Sequence, residues 1–442
     1  MGFYGGKKFR LRMVLPVLLG SFLSEPVLAF YTPTITKLAS RCAATRPSLM
    51  TTQMVDYDEL PADFPRRKDV LVGLEAVRKA ATMTQALQPE SSDGIGVINK
   101  QDASPVTVAD FAAQAMILRH LKDAFPDDSF IAEESSAALA DEAGLANQVL
   151  KASQLGDMDA LKESIDLGKE YEHWDGSSRP SRVWCLDPID GTKGFLRGRR
   201  DGGQYAVALA LLESGTPTIG ILGCPNLPSD PKDFSYVWQK DENLENNQQT
   251  RGCIFVASKD GGSFQLPILP KSSSSIRLHV TPNDGSTMAT SEARFCIGVE
   301  KFSDALGQCC AVMAKVLHGE EGLDDDGSIV KARRIDSQAK YGIIARAGAE
   351  YYARLPAPGY VEWIWDHAAG KVVVEEAGGS ITDTKGKVID FSLGAKMSDS
   401  VHGVLASSGG VFQSALLNAF IEQEAERQAK NADMNQFQKK HL

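Results

Sequence analysis

The pattern of hydrophobic and polar positions predicts helices in the first part of the chain. Residues 66–88 are rich in Ala, Leu and Val and stop before Pro89, which predicts a helix over 70–86. In 106–125 the apolar residues recur at helical spacing, which predicts a second helix. Residues 137–180 lack strong periodicity, and we expect a helical insertion or an exposed cap there.

Strands follow the insertion. The continuous apolar run at 182–186 predicts a buried strand. The runs at 205–212 and 218–222 flank the turn residues Ser214 and Gly215, which predicts a hairpin. The first half of the chain is therefore predicted to be α+β with a meander.

The second half alternates short strands with helical stretches. Strands are predicted at 295–299, 333–335, 351–355 and 404–407, and this alternation is typical of a layered α/β arrangement. The predicted regions are a leader at 1–53, an N-terminal α+β domain at 54–270, a serine-rich linker at 271–290, a C-terminal α/β domain at 291–426 and a polar tail at 427–442.

The leader has the composition of a targeting sequence. Basic residues between positions 7 and 12 precede an apolar run, 13–23, that is too short to span a bilayer. Val27-Leu28-Ala29 offers a signal-peptidase site, and 30–53 contains no acidic residue. This order resembles the bipartite plastid leaders of algae with secondary plastids. We expect a plastid protein imported through the endoplasmic reticulum, with secretion or mitochondrial import as the alternatives.

Composition and charge exclude several classes of protein. Hydrophobic residues make up 43% of the chain, which is ordinary for a globular protein. The 47 Lys and Arg against 57 Asp and Glu give a net charge of −10, which argues against a nucleic-acid-coating protein. Seven cysteines without a CxxC spacing predict neither a disulfide scaffold nor a zinc site. No segment after the leader is apolar enough to predict a membrane partner.

One acidic motif, residues 187–195, carries the most chemical information. Asp187 and Asp190 follow the predicted buried strand and are separated by a proline, so both carboxylates can face one point beyond the strand end. Gly191 and Thr192 then open a predicted helix, where free N–H groups and the helix dipole suit a phosphate. The alternative is that Asp-Pro and Asp-Gly here are only turn dipeptides.

Other acidic residues lie beside predicted strand and helix ends. Glu133 follows an apolar pair. Asp102 lies in a turn before the second helix, and Asp110 follows near the start of that helix, where it is alternatively only a helix-start residue. Asp366 precedes another predicted helix, where it is a metal ligand or, alternatively, an N-cap. His367 is interpreted as a packing residue. Hard cations such as Mg²⁺ prefer such oxygen ligands, and two of them can promote in-line displacement at phosphorus, so the sequence predicts phosphoester hydrolysis.

These motifs resemble a known family. EES at 133–135, DPIDGT at 187–192 and WDHAAG at 365–370 are similar to those of the inositol monophosphatase superfamily, whose members are lithium-sensitive, magnesium-dependent phosphatases. The KxDxSPVTxAD run at 100–110, Lys193-Gly194-Phe195, DSQAKY at 336–341 and YARLP at 352–356 resemble the 3′(2′),5′-bisphosphate nucleotidase branch. The resemblance covers about residues 66–425.

The resemblance implies a role for each matching residue. Two to three Mg²⁺ ions would be held by Glu133, Asp187, the carbonyl of Ile189, Asp190 and Asp366. Asp102 with Thr192 would position and deprotonate the attacking water, and Gly191 with Thr192 would hold the scissile phosphate. The rest of the nucleotide would be bound by Ser337, Lys340 and Arg354.

The family also implies a fold and a reaction. The fold is a two-domain αβαβα layered sandwich with the active site in the interdomain cleft. The reaction is hydrolysis of adenosine 3′,5′-bisphosphate to AMP and phosphate in sulfur metabolism, by a monomer with small-molecule partners only; 3′-phosphoadenylyl sulfate is a second candidate substrate. Inositol polyphosphate 1-phosphatase, inositol monophosphatase and a non-catalytic nucleotide or metal sensor stay open. Residues 302–305 depart from the HSSH stretch of yeast and plant members, so base contacts from that loop stay open too.

Overall fold

The computed structural model describes most of the chain after the leader. The described residues are 59–89, 98–99, 105–106, 108–140, 143–171, 180–233, 251–269, 275–299, 313–319, 322–323, 329–330, 332–355 and 359–441. They belong to one compact unit, Val55–Leu442. Within these ranges, no helix combines the length and the hydropathy needed to cross a bilayer. The leader lies outside the described ranges.

The predicted helices are confirmed, with ends that differ by one to three residues. The helices are α1 (Arg67–Leu87), α2 (Val108–Ala124), α3 (Ala143–Ser153), α4 (Met158–Asp166), α5 (Thr192–Arg197), α6 (Ala339–Ala345), α7 (Ala368–Glu375) and α8 (Gly410–His441), with a further helical segment at 313–318. On α1 the buried residues Val70, Leu74, Val77 and Ala81 follow helical spacing and form one apolar face. Residues 427–441, predicted as a polar tail, continue α8.

The larger sheet contains seven strands in chain order. They are β3 (Ser129–Ala132), β4 (Arg182–Asp190), β5 (Ala206–Glu213), β6 (Thr216–Pro228), β7 (Arg251–Ser258), β8 (Gly262–Pro267) and β9 (Ile276–Arg277). Strands β3 and β4 are parallel, and the others form an antiparallel meander. The predicted hairpin is its β5–β6 part, whereas β7, β8 and β9 were not predicted, and β9 lies within the predicted linker. The β5–β6 turn uses Ser214 and Gly215, both with positive φ (51° and 79°), as a tight hairpin requires.

The smaller sheet is mixed. Its order is β11 (Ala332–Arg334), β10 (Phe295–Ile297), β12 (Tyr351–Arg354), β14 (Val404–Ser407) and β13 (Ser380–Asp383). Strand β10 is parallel to both of its neighbours, whereas β14 is antiparallel to β12 and β13. Strand β13 was not predicted. A separate two-stranded pair joins β1 (Ile98–Asn99) to β2 (Pro105–Val106).

Alternating strand residues are buried on both faces of each sheet, which builds five layers. On the larger sheet, Trp184 and Leu186 pack with α1, whereas Val183 and Cys185 pack in the cluster that contains α6 and α7. On the smaller sheet, alternate residues face that same cluster or the start of α8. The layers are therefore α1/α2, the larger sheet, α6/α7, the smaller sheet and α8. The predicted αβαβα sandwich is confirmed, while the division into two domains at 271–290 stays a prediction.

The described part of the 137–180 insertion is helical. Helices α3 and α4 pack on α2 through a separate apolar cluster in which Phe111 and Val149 are buried. The insertion therefore extends the outer helical layer, between strands β3 and β4 in the chain.

Candidate metal and phosphate site

Two of the predicted ligands follow from the pairing of parallel strands. In the β3–β4 register, Ala132 is opposite Leu186, so Glu133 and Asp187 come next on their chains. Because paired residues of parallel strands lie next to each other, Glu133 and Asp187 are neighbours at the point where β3 ends and β4 continues. The structure thus brings together residues that are 54 positions apart in the sequence.

A β-bulge brings Asp190 to the same place. We expected the acidic motif to follow the strand, but β4 continues through it to Asp190. Asp187 pairs with Ala208 and Asp190 pairs with Ala206, so a step of three residues faces a step of two. In a regular strand, residues three apart point to opposite faces, and one extra residue removes that alternation. Pro188 is tolerated here because a bulge does not require its N–H.

The segment before α7 supplies the fourth carboxylate. Asp366 ends a 3₁₀ turn, Ile364–Asp366, and the residue at the N-cap position of α7 is His367, which makes no side-chain cap. The capping alternative for Asp366 is therefore wrong. Ligand oxygens of Asp187, Asp190 and Asp366 all lie within 4.8 Å of one another.

This acidic cluster has the electrostatics of a cation site. Burial raises the pKa of Asp187 well above its ordinary value, and repulsion from Glu133 and Asp190 raises that pKa further. Burial and the neighbouring Asp190 likewise raise the pKa of Asp366 well above its usual range. Carboxylates crowded in this way favour a bound cation over the ionised, metal-free state. A set made only of carboxylate and carbonyl oxygens suits Mg²⁺ and not zinc.

Gln114 holds the segment that carries Glu133. Its amide nitrogen donates to the main-chain carbonyls of Glu134 and Ile165, each at 2.8 Å, and its amide oxygen accepts from the Glu134 N–H at 2.8 Å. Asp110, one turn before it on α2, is buried, and its charge also raises the pKa of Asp187. Asp110 was a candidate from the sequence, whereas Gln114 was not predicted.

The turn after Asp190, which is the predicted phosphate cradle, depends on glycine. Gly191 adopts a φ of 86° at the N-cap of α5, a conformation that suits glycine. The Thr192 hydroxyl donates to the Ile189 carbonyl at 3.3 Å, and a carbonyl oxygen has a second lone pair for a further partner. A Cβ added at Gly194 would lie 2.0 Å from the Gln204 carbonyl oxygen, so glycine lets α5 approach the segment that leads into β5.

The three predicted nucleotide contacts lie on elements next to this cradle. Ser337 has a φ of 67° and lies against Gly191, where an added Cβ would be 2.8 Å from the Ser337 Cβ. Lys340 is buried; burial lowers its pKa, and the charge of Asp190 partly offsets that effect. Arg354, whose side chain is 42% exposed, donates from Nε to Glu362 at 3.1 Å.

A buried network around His367 was not predicted. His367 lies 2.6 Å from the Tyr341 hydroxyl through Nδ1 and 3.3 Å from Glu362 through Nε2. Glu362, Asp366 and His367 also offer ligand atoms within 4.8 Å of one another. However, both Glu362 oxygens and both His367 nitrogens already have protein partners. We therefore interpret this group as a hydrogen-bond network that stabilises the segment before α7. The predicted base Asp102 and residues 302–305 lie outside the described ranges.

Comparison with known proteins identifies the family. The model of the inositol monophosphatase family matches residues 70–426. The chain is 37% identical over 352 residues to the 3′(2′),5′-bisphosphate nucleotidase of Emericella nidulans, covering 75% of this chain and 92% of that protein. Proteins of the same name in Schizosaccharomyces pombe and Dictyostelium discoideum are 34% and 35% identical, covering 78% and 76% of this chain and 93% and 92% of those proteins. With motifs, layers and carboxylate cluster all in agreement, the chain belongs to the inositol monophosphatase family.

Proposed function

We propose that this protein is a magnesium-dependent phosphomonoesterase that converts adenosine 3′,5′-bisphosphate to AMP and phosphate. The observation that carries the proposal is the position of Lys340 and Arg354 beside the carboxylate cluster. Lys340 lies on α6, which follows Gln338, whose N–H donates to Asp190. Arg354 is bonded to Glu362, which has a carboxylate oxygen within 4.8 Å of one of Asp366. An anionic ligand with two phosphates would be held at one end by the cradle and at the other by these cations. Relatives that are 37% and 34% identical to this chain carry the name 3′(2′),5′-bisphosphate nucleotidase.

The chain's donor set fits Mg²⁺. We assign the ions to Glu133, Asp187, the Ile189 carbonyl, Asp190 and Asp366, and we propose two to three of them. When bound, Mg²⁺ lowers the pKa of a water and stabilises the oxygen of the leaving group.

The protein's own groups bind the phosphate and handle the proton. Gly191 and Thr192 begin α5, and the first N–H groups of a helix have no partner within it, so they can donate to phosphate oxygens. Thr192 donates its hydroxyl hydrogen to Ile189, which leaves its oxygen free to accept from a water. In our proposal that water passes its proton to Asp102.

The non-reacting end of the substrate meets Ser337, Lys340 and Arg354. Arg354 stays partly exposed while its Nε is bonded to Glu362, so its position is fixed before the ligand arrives. A guanidinium held in this way binds a phosphate with a smaller loss of side-chain entropy. This set favours a bisphosphate nucleotide over an inositol phosphate.

Phosphate release tests the proposal directly. The purified mature protein is assayed with Mg²⁺ against adenosine 3′,5′-bisphosphate, 3′-phosphoadenylyl sulfate, inositol 1,4-bisphosphate and inositol monophosphate. We expect the highest kcat/KM for one of the two nucleotides, consistent with a role in sulfur metabolism. A preference for an inositol phosphate would identify a sister activity, and binding without turnover would identify a sensor. Light scattering of the same sample tests the proposed monomer.

We also propose that residues 1–53 direct the protein to a plastid. The motivation is an apolar segment with a cleavage site followed by an acid-free stretch. A fusion of these residues to a fluorescent protein should enter the plastid of an alga with a secondary plastid. Replacing Phe30, just after the expected cut, with Ala should divert it. Secretion or mitochondrial uptake of the unaltered fusion would refute this location.

A further inference from the structure

Gln338 connects the chain segments that carry Asp190 and Asp366, one through its main chain and the other through its side chain. It follows Ser337, precedes α6 and is 2% exposed. Its amide nitrogen donates to the Trp365 carbonyl at 2.8 Å, and its amide oxygen accepts from the Gly370 N–H at 3.2 Å. The side chain therefore holds both sides of the turn that contains Asp366.

The main-chain N–H of Gln338 contacts the end of β4. The Gln338 N–H donates to a carboxylate oxygen of Asp190. Asp190 lies 148 positions earlier in the chain, whereas Trp365 lies 27 positions later. One residue is thus bonded to the carboxylate of one predicted ligand and to the residue directly before another.

Asp190 and Asp366 need such a connection. Like charges held this close repel each other, and that repulsion would move the α7 turn away from β4 when no cation lies between them. An amide provides a donor for the carbonyl and an acceptor for the N–H at the same time, which no apolar side chain of that volume does.

We propose that Gln338 is a positioning residue that fixes the separation of Asp190 and Asp366 and thereby sets the affinity of the site for a divalent cation. The inference rests on the proposed magnesium dependence. In this role Gln338 acts through the two aspartates and is not a catalytic residue. Outer groups that orient metal ligands affect affinity by about 10–100-fold.

The test measures cation binding without substrate, so that it does not depend on turnover. Metal-free wild-type protein and the Gln338→Met variant are titrated with Mg²⁺ and with Mn²⁺ by calorimetry. Met has a similar volume but offers neither hydrogen bond. We expect the dissociation constant to rise about 10–100-fold in the variant, and the Mg²⁺ concentration for half-maximal phosphate release to rise in parallel.

A second variant separates position from charge and remains informative if Gln338→Met folds poorly. Gln338→Glu keeps an acceptor for the Gly370 N–H but loses the donor to Trp365. Its added negative charge alone would tighten cation binding, so weaker binding would come from the lost connection. We expect weaker binding than in the wild type.

The matched control is Gln413, another buried glutamine far from the cluster. Its amide oxygen accepts from Ser407 at 2.6 Å and its amide nitrogen donates to Thr382 at 2.9 Å, so it joins β14 to β13. Gln413→Met should lower the melting temperature while leaving cation affinity unchanged.

The outcomes separate this inference from the proposed function. If the wild type binds a cation and Gln338→Met matches its affinity, or Gln338→Glu binds the cation more tightly than the wild type does, the inference is wrong and the proposed function stands. If Gln413→Met weakens cation binding as much as Gln338→Met does, the effect is one of general stability and the inference is again wrong. A wild type that binds no divalent cation overturns both.

Discussion

Replacing Asp187 with Asn should stabilise the metal-free protein while removing its activity. Asp187 is 2% exposed, and its ionised form is disfavoured by burial and by neighbouring carboxylates. The Ile189 N–H donates to Asp187 Oδ1 at 3.1 Å, and an asparagine oxygen can accept the same bond. The substitution therefore removes a charge and leaves the local backbone contact in place.

The magnitude follows from the separation of the carboxylates. Two unit charges 4.8 Å apart at an effective dielectric constant near 20 repel by roughly 3.5 kcal/mol. Asp190 and Asp366 are only partly buried, and solvent screening reduces this figure, so we expect a net gain of about 1–3 kcal/mol. For a unit of roughly 390 residues, that gain corresponds to a rise in Tm of about 1–4 °C.

The assay is thermal unfolding of both proteins in EDTA across pH. A carboxyl whose pKa is higher in the folded than in the unfolded state binds more protons when folded. Wild-type stability should therefore fall as the pH rises from about 4, the unfolded pKa of aspartate, towards the raised pKa of Asp187. The variant lacks this contribution. The plots of Tm against pH for the two proteins should therefore agree below about pH 4 and separate at higher pH.

Magnesium should reverse the order of stability. A ligand that binds only the folded state raises the Tm, so saturating Mg²⁺ should stabilise the wild type and have little effect on Asp187→Asn. Phosphate release by the variant should fall to background. A variant that is less stable than the wild type in EDTA at pH 8 would show that Asp187 stabilises the fold, and near-normal turnover would show that it is not a metal ligand.

Three further predictions address single roles in the site. Arg354→Ala should raise the KM for adenosine 3′,5′-bisphosphate about tenfold or more. It should also lower the Tm, because the buried Glu362 carboxylate loses its Arg354 partner. An unchanged KM in steady-state kinetics would show that Arg354 does not bind the substrate. Asp102→Ala should lower kcat by about 10²–10⁴-fold with little change in KM; a defect in KM alone would mean that Asp102 is not the base. Lithium below millimolar concentration should inhibit phosphate release at saturating Mg²⁺, and a flat lithium titration would contradict this.

The sequence was sufficient to predict the main helices and the meander because the signals for them are local, whereas the order of the five layers followed from the family resemblance. The apolar face of α1, the meander and the positive-φ turn at Ser214 and Gly215 all depend on residues within one element or one hairpin. Strand β13, Ser380–Asp383, was missed because it is short and has only two buried residues. Such a strand is specified by its pairing with β14 and not by its own pattern.

The site residues that lie within one short motif could be predicted from the sequence. Those whose role depends on contacts between distant segments could not. The acidic motif named Asp187 and Asp190, but the proline between them suggested a strand end, whereas β4 passes through it as a bulge. Gln114 and Gln338 were missed because a buried glutamine has no distinctive sequence context. Their roles arise only from main-chain groups that the fold brings to them, across 51 positions for Gln114 and Ile165.

Asp366 shows why local sequence could not choose between two roles. An aspartate just before a helix is a favoured N-cap, and that interpretation needs only a few neighbouring residues. In the structure the helix starts after His367, whose side chain is bonded to Tyr341 and Glu362, so Asp366 lies one residue too early to cap it. Its carboxylate instead meets Asp187 and Asp190 from another strand. Asp366 is therefore free to act as a ligand because His367, held by Tyr341 and Glu362, occupies the N-cap position. Tyr341 lies 26 positions away in the chain and becomes a neighbour of His367 only on folding.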